Sequence, residues 1–327
     1  MTVPPSDPIA PFAHQPSRCR TIEPSNPTVV VIINPISGTG GRPDAARRRA
    51  ELAASIFERR GMAAEIFVTE RAGHARELSA AAVARGVQTI MAWGGDGTVN
   101  EVASAVAFSD SALAIVPTGS GNGLARELGV PFDARRAIDT ALDGRERRMD
   151  AGELDGHLFF NVAGIGLDAR IAHQFAKTGL VRRGLRRYAE ITLSELFTFE
   201  PDDHTVATDR TTVRVRALLI AIANSRQYGH GAVIAPGARI DDGRLDVVIV
   251  NHRSIAATLV QLPRLFAGRV TSVPGVTFTP AAEVEVTSAG RVLYHVDGEP
   301  FVGGVSLKAR VFPAALKIRV PGPAGNR

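Results

Sequence analysis

The 327-residue chain contains a single cysteine, Cys19, which lies in a proline-rich N-terminal stretch. An intrachain disulfide and a cysteine-based metal site are thereby excluded. Lysine is almost as scarce: apart from Lys177, Lys308 and Lys317, the positive side chains are arginines, and they carry the net charge of +5. A phosphate-binding loop of the GxxxxGK[ST] type requires a lysine that the glycine-rich segments do not supply. Neither H-R-D nor D-F-G occurs, which excludes the protein-kinase signature. Aromatics make up 6% of the chain, and the basic runs have no aromatic platforms between them, which disfavours single-strand nucleic-acid binding. No apolar run reaches the roughly 18–20 residues of a membrane-spanning helix. The first residues lack a basic region followed by an apolar core, so no signal peptide is expected. The expectation is a soluble intracellular protein without a nucleic-acid partner.

What the chain does contain is glycine, 32 residues of it, concentrated at points where apolar runs end. The most informative run is Met91-Ala-Trp-Gly-Gly-Asp-Gly-Thr-Val-Asn-Glu101. A strand pattern over Val87–Trp93 ends in Gly94-Gly95-Asp96-Gly97-Thr98, and helical spacing follows at Val99, Val102, Ala103 and Val106. Glycines at a strand-to-helix turn admit a ligand close to the backbone, and the helix N-terminus offers free N–H groups to phosphate. Asp96 in such a turn suits a metal, a water or a hydroxyl proton beside the phosphates rather than phosphate itself.

Upstream, Val29–Ile33 reads as a buried strand, Asp44–Arg60 as a helix, Ala64–Thr69 as a strand and His74–Arg85 as a helix; Leu113–Val116 is a fourth strand. Strands alternating with helices imply a parallel sheet with its ligand at the strand C-termini, where Asn34, Thr69, Gly94 and Thr118 fall. From about residue 150, strand patterns dominate: 149–154, 157–163, 212–223, 244–250, 283–288 and 291–296, interrupted by a helix near Leu185–Phe199. The fold class is therefore α/β plus β. The expected organisation is a disordered tail over 1–27, an α/β domain over 28–150, and a mainly antiparallel β domain over 151–311. Residues 312–321 either close the second domain or return to the first. Gly164-Ile-Gly166-Leu-Asp168-Ala169 matches a dinucleotide pattern, but its place in the β-rich half favours a tight turn that puts Asp168 in the cleft.

Taken together, Asn34-Pro35-x-Ser37-Gly38, Thr69-Glu-Arg-Ala-Gly-His-Ala75, Gly94-Gly-Asp-Gly-Thr-Val-Asn-Glu101, Pro117-Thr-Gly-Ser-Gly-Asn122, Ala235–Asp246 and Val296-Asp-Gly-Glu299 resemble the diacylglycerol kinase catalytic-domain family. That family includes bacterial diacylglycerol kinases, sphingosine kinases and ceramide kinases. The resemblance covers about residues 28–320.

It implies an ATP-dependent kinase acting on a lipid hydroxyl, with a nucleotide-binding first domain, a β-sandwich second domain, and the lipid between them. Asn34, Pro35, Ser37, Gly38, Thr69, Gly94, Gly95, Asp96, Gly97, Thr98, Asn100, Glu101, Gly119, Ser120 and Gly121 would then surround ATP. Asp168 would face the substrate. A structural Mg²⁺ would sit on Asp242 and the main-chain oxygens of Arg239 and Arg244. Asp297 or Glu299 would take the hydroxyl proton, or Asp96 as in sphingosine kinases. The run Arg182-Arg183-Gly-Leu-Arg186-Arg187 resembles phosphate-contacting arginines, with Arg187 closest to that role; a solvated basic helix face is the alternative. Arg47–Arg49 and Arg145–Arg148 read as solvated surface. The segment 180–197 combines arginines with apolar residues and suits an interfacial helix, or else an ordinary core-facing one. Diacylglycerol leads as acceptor, ahead of sphingosine and ceramide. NAD phosphorylation and a non-catalytic lipid-binding role are the competing functions. The expected location is the cytoplasm, peripheral at the inner face of the membrane.

Overall fold

All five residues of Val29–Ile33 (β1) are buried, as a strand covered by helices on both faces must be. In the computed structural model β1 is followed by α1 (Ala45–Arg59), β2 (Ala64–Val68), α2 (His74–Ala84), β3 (Thr89–Gly94), α3 (Asp96–Val106) and β4 (Ala112–Pro117). The structure describes residues 28–322, apart from 39–41, 43, 178–184, 230, 255–256, 258, 262–263 and 265–267. The expected tail at 1–27 lies outside the described residues, as do Arg182 and Arg183. β1 pairs in parallel with β2 and β3, and β3 with β4, so the C-terminal ends of these strands share one edge. Two short helices absent from the sequence reading, α4 (Gly123–Glu127) and α5 (Ala134–Asp143), lead out of this layer.

The second half is mainly antiparallel. It comprises β5 (Arg145–Leu154), β6 (His157–Phe159), β7 (Val162–Gly166), α6 (Leu167–Lys177), α7 (Leu185–Thr198), β8 (Asp203–Thr208), β9 (Thr212–Ala223), β10 (Gln227–Gly229), β11 (Ala232–Val233) and β12 (Leu245–Asn251). β13 (Val276–Ala281), β14 (Glu283–Ser288), β15 (Leu293–Val296), β16 (Glu299–Val302) and β17 (Ser306–Val320) complete it. β9 turns the corner of the sandwich: residues 212–216 pair with β8, whereas 217–223 pair with β7 and β12. The inner faces bury Phe159, Ile165, Ile220, Val247, Val286, Tyr294 and Leu307 against one another.

β17 is longer than the 315–320 piece legible in the sequence. Leu307 and Ala309 enter the sandwich core, whereas Leu316, Ile318 and Val320 enter the core of the parallel sheet. A bulge between Phe312 and Leu316, with Ala314 at φ +53°, separates the two stretches. Beyond it, Lys317 and Ile318 run parallel to β4. The single strand expected at 157–163 is also broken, between Phe159 and Val162, for a reason that lies in the site.

Candidate active site

Three turns meet at the C-terminal edge of the parallel strands, and glycine lets them meet. A Cβ on Gly119 would lie 2.6 Å from the Cα of Gly95. At Gly38 (φ +66°) a Cβ would collide with the carbonyl of Thr118. Asn34 ties the first turn to α3, its Nδ2 donating to Thr98 Oγ1 at 2.9 Å, while its Oδ1 accepts from the Ile36 N–H. Thr118 Oγ1 donates to Ser37 Oγ at 3.3 Å. Thr69 is buried at the end of β2, its N–H donating to Ile33 O. Arg49, read from sequence as solvated, instead braces the first turn: Nη1 donates to Asn34 O at 2.7 Å and Nη2 to Ser37 O at 2.6 Å. Half-burial pulls its pKa down without discharging it. Arg147, also read as solvated, pairs with Asp241 at 2.6 Å.

Gly95 caps α3 with no side chain, so the first-turn amides have no side-chain cap and face the convergence of the three turns. Gly97 is exposed there with nothing within 4 Å of where its Cβ would be, and Ser120 is exposed opposite. Asp96 turns its carboxylate to the start of α4, accepting from Asn122 N–H (2.8 Å) and Gly123 N–H (2.7 Å). Glu101 does not point at this cavity. It accepts from the Gly73, Ala75 and Arg76 amides and so caps α2.

Beyond α3 a cleft of about 190 Å³ opens, lined by Asp96, Asn100, Asp168, Tyr228, His295 and Asp297 among apolar walls that include Val99, Leu124, Phe160 and Phe175. Asp168 is buried in the first turn of α6. It accepts from the Tyr228 hydroxyl, from His295 Nε2 (3.2 Å) and from the Ala169 N–H (2.7 Å). The Gly298 N–H donates to His295 Nδ1, which assigns the ring proton to Nε2. A side chain on Gly164 would collide with Asp168, so the glycines of the dinucleotide-like pattern make room for this polar cluster.

Asp297 and Gly298 form the two-residue turn between β15 and β16, at φ +48° and +87°, the backbone that Asp-Gly favours in tight hairpins. The Asp297 carboxylate is enclosed and accepts four hydrogen bonds: Asn161 and Val162 N–H on Oδ1, Phe160 N–H and Asn100 Nδ2 on Oδ2. These amides are taken from the ladder between Phe159 and Val162, which is why the expected strand breaks there. Burial pushes the Asp297 carboxyl up, against the four donors that favour its ionised form. Glu299, two residues on, is exposed, and its side chain forms no hydrogen bond or ion pair among the described residues.

The candidate cation turn lies apart, since neither Arg239, Asp242 nor Arg244 lines the cleft. Asp242 is exposed and one of its oxygens accepts from the Arg244 N–H at 3.1 Å. Asp246 is half-buried nearby, and burial followed by the Asp242 charge raises its pKa. Asp150, buried and absent from the sequence reading, fixes the turn by accepting from Gly243 N–H and Ala314 N–H, both at 2.7 Å. Among the described residues no group of three or more His, Cys, Asp or Glu side chains converges on a metal position. Arg187 lies in α7, but its side chain is outside the described residues.

The comparisons with known proteins agree with this architecture. Residues 28–154 match the model of the diacylglycerol kinase catalytic domain, and residues 161–320 that of the YegS C-terminal NAD kinase beta sandwich-like domain. A diacylglycerol kinase of Mycobacterium tuberculosis is 33% identical over 300 residues, covering 90% of this chain and 95% of that protein. The chain belongs to the diacylglycerol kinase catalytic-domain family. A Pseudomonas aeruginosa relative named "Probable lipid kinase YegS-like" is 34% identical over 285 residues, covering 84% of this chain and 89% of its own. In fold, a crystal structure of a diacylglycerol kinase from Bacillus anthracis superposes with a TM-score of 0.66 at 21% identity, covering 89% and 96% of the two chains. This lipid kinase family member thus has a parallel sheet in its N-terminal part and an antiparallel sandwich in its C-terminal part. Tyr228, His295, Asn161 and Asp150 were not singled out from sequence. His295 alone left a signal, as a polar residue inside the apolar run Leu293–Val296.

Proposed function

We propose that the protein transfers the γ-phosphate of ATP to a lipid hydroxyl, with diacylglycerol the first acceptor and sphingosine or ceramide next. The observation that carries this reading is a cleft with apolar walls that opens directly onto an uncapped helix N-terminus. The turns at 34–38, 94–98 and 118–121 would hold the phosphates by their amides. The apolar walls would hold the acyl chains, with the acceptor hydroxyl between α3 and the acidic turn. Asp297 has its lone pairs filled and Asp96 holds two amides. Glu299, the acid with an unoccupied carboxylate, is exposed and lies outside the cleft lining, so the geometry singles out none of the three as the base. Phosphoryl transfer depends chiefly on positioning and charge neutralisation, so the alignment of these turns matters as much as the base.

The turn at 239–244 suits Mg²⁺ by its hard oxygen donors, and a cation there would relieve the repulsion between Asp242 and Asp246. Asp242 and the main-chain oxygens of Arg239 and Arg244 would hold it, and its contribution would be to stiffen the turn. Among the described residues no helix is long and apolar enough to cross a membrane. We propose peripheral association through α7, where Leu193 and Phe197 are 50% and 60% exposed at i, i+4 while Leu196 and Ile191 pack inward.

A panel of diacylglycerol, sphingosine, ceramide and NAD with γ-labelled ATP tests the reading. NAD is the competing acceptor because the C-terminal segment matches an NAD kinase-like sandwich. Label appearing only in NADP would overturn lipid transfer. Lipid binding without transfer to any acceptor would make the protein a lipid-binding one.

A further inference from the structure

We propose that the side-chain amide of Asn161 donates to the hydroxyl oxygen of the lipid acceptor and so orients it, with Ser225 the positioning residue that fixes the sense of that amide. This inference deepens the kinase reading above and rests on it. Asn161 stands at the break between β6 and β7, and it lines the cleft together with its neighbours Phe160 and Val162. Its main chain is held from both sides. The N–H donates to Asp297 Oδ1 at 2.9 Å, and the carbonyl accepts from the Asn224 and Ser225 amides at 2.9 and 3.2 Å.

One end of the side chain is equally committed. Oδ1 accepts from the Ser225 hydroxyl, which in turn accepts from the Gln227 N–H at 3.3 Å. That contact leaves Nδ2 as the outward donor. Nδ2 donates to none of the described residues, and it is not one of the enclosed side-chain atoms without a partner, so it opens on the cleft. Against it lies Gly123, where a Cβ would come within 2.3 Å of Nδ2. The Gly123 N–H in turn holds Asp96 Oδ1 at 2.7 Å. A neutral donor from the β-rich half and a carboxylate from the nucleotide edge thus reach the same glycine.

A hydroxyl suits both groups, because its oxygen accepts from an amide while its proton is offered to an acid. A phosphoryl oxygen only accepts, and the Asp96 charge repels it. A donor already held in place needs no reorganisation when the hydroxyl arrives.

The test is a cycle between the protein and its acceptor. The lipid that the panel labels, diacylglycerol first, is bound in mixed micelles beside an analogue in which hydrogen replaces the hydroxyl. Full-length wild type should prefer the hydroxyl compound about two- to tenfold, as one neutral hydrogen bond provides. Asn161→Ala should bind both compounds alike, and a preference equal to that of wild type would overturn the inference. In turnover, Asn161→Ala should lower kcat/KM for the lipid about 10- to 100-fold and leave the Kd for ATP within about twofold. A tenfold or greater weakening of ATP binding would place Nδ2 on the nucleotide and overturn the inference.

Thermal midpoints accompany each variant. Asn161→Asp keeps the Ser225 contact and the volume while losing the donor, so it supplies the kinetic result if the alanine variant does not fold; wild-type turnover by it would refute the role. Ser225→Ala should slow lipid transfer in the wild-type background and cost little more on top of Asn161→Ala. Multiplying effects would overturn the positioning by Ser225. Lipid labelling by wild type without coupling between Asn161 and the hydroxyl would sink this inference and leave the kinase reading standing. If wild type labelled no lipid, both would fall.

Discussion

Asp297→Asn separates a brace from a base. An amide has one oxygen, so it can accept from only one of the two donor pairs around the native carboxylate. Its NH₂ group then faces either Asn161 and Val162 N–H or Phe160 N–H and Asn100 Nδ2. Asn100 can reverse its amide to accept, but Nδ2 then abandons Leu158 O, and the Phe160 N–H remains unpaired. Two hydrogen bonds to a charged acceptor are lost, at about 1.5–3 kcal/mol each, or roughly 3–6 kcal/mol in all. Removing an enclosed charge that burial disfavours returns part of this. A net loss of at least about 2 kcal/mol should remain, a fall of roughly 4–8 °C in thermal midpoint for units of this size. Trp93, the single tryptophan, is 1% exposed in β3 and reports unfolding of the parallel sheet by fluorescence; circular dichroism follows the sandwich. A midpoint within 1 °C of wild type together with a hundredfold loss of kcat would refute the brace and return Asp297 to proton transfer.

Gly97→Ala adds a methyl group where nothing lies within 4 Å, so the fold should hold or gain about 0.5–1 kcal/mol. Nucleotide affinity should nevertheless fall, because phosphate must approach that backbone; unchanged ATP titration calorimetry would count against the site. Arg49→Lys cannot span both Asn34 O and Ser37 O, and ATP affinity should drop about 5- to 20-fold, the price of roughly one bidentate contact. An unaltered Kd would mean the first turn holds itself. Burial pushes the Tyr294 phenol up to about 12, above its unfolded value of 10. Its contribution to stability is therefore intact below pH 10 and is lost as pH rises through about 12, and it should vanish from the stability–pH curve in Tyr294→Phe. Leu193→Ser with Phe197→Ser should weaken co-sedimentation with anionic vesicles while sparing lipid-free stability, since both side chains are exposed; unchanged binding would place the membrane contact elsewhere.

Local pattern in the chain was enough for the elements that make the nucleotide edge. β1, α1, β2, α2 and β3 fall within about two residues of their expected bounds, because buried parallel strands are continuous apolar runs and their helices carry a 3.6-residue period. The glycine turns were legible for the same reason, since close backbone approach admits almost no other residue. Pairings made across long sequence separations were not legible. Nothing local to Arg49 says that its guanidinium will reach back 15 residues to the carbonyl of Asn34, so a helical arginine read as solvent-facing. Nothing local to Phe160 says that its amide will leave the ladder for a carboxylate 137 residues later. An acid can be named from sequence by its motif, as Asp96, Asp297 and Glu299 were. Which of them keeps a free lone pair depends on donors brought in from other strands and helices, and only the packed chain assembles those.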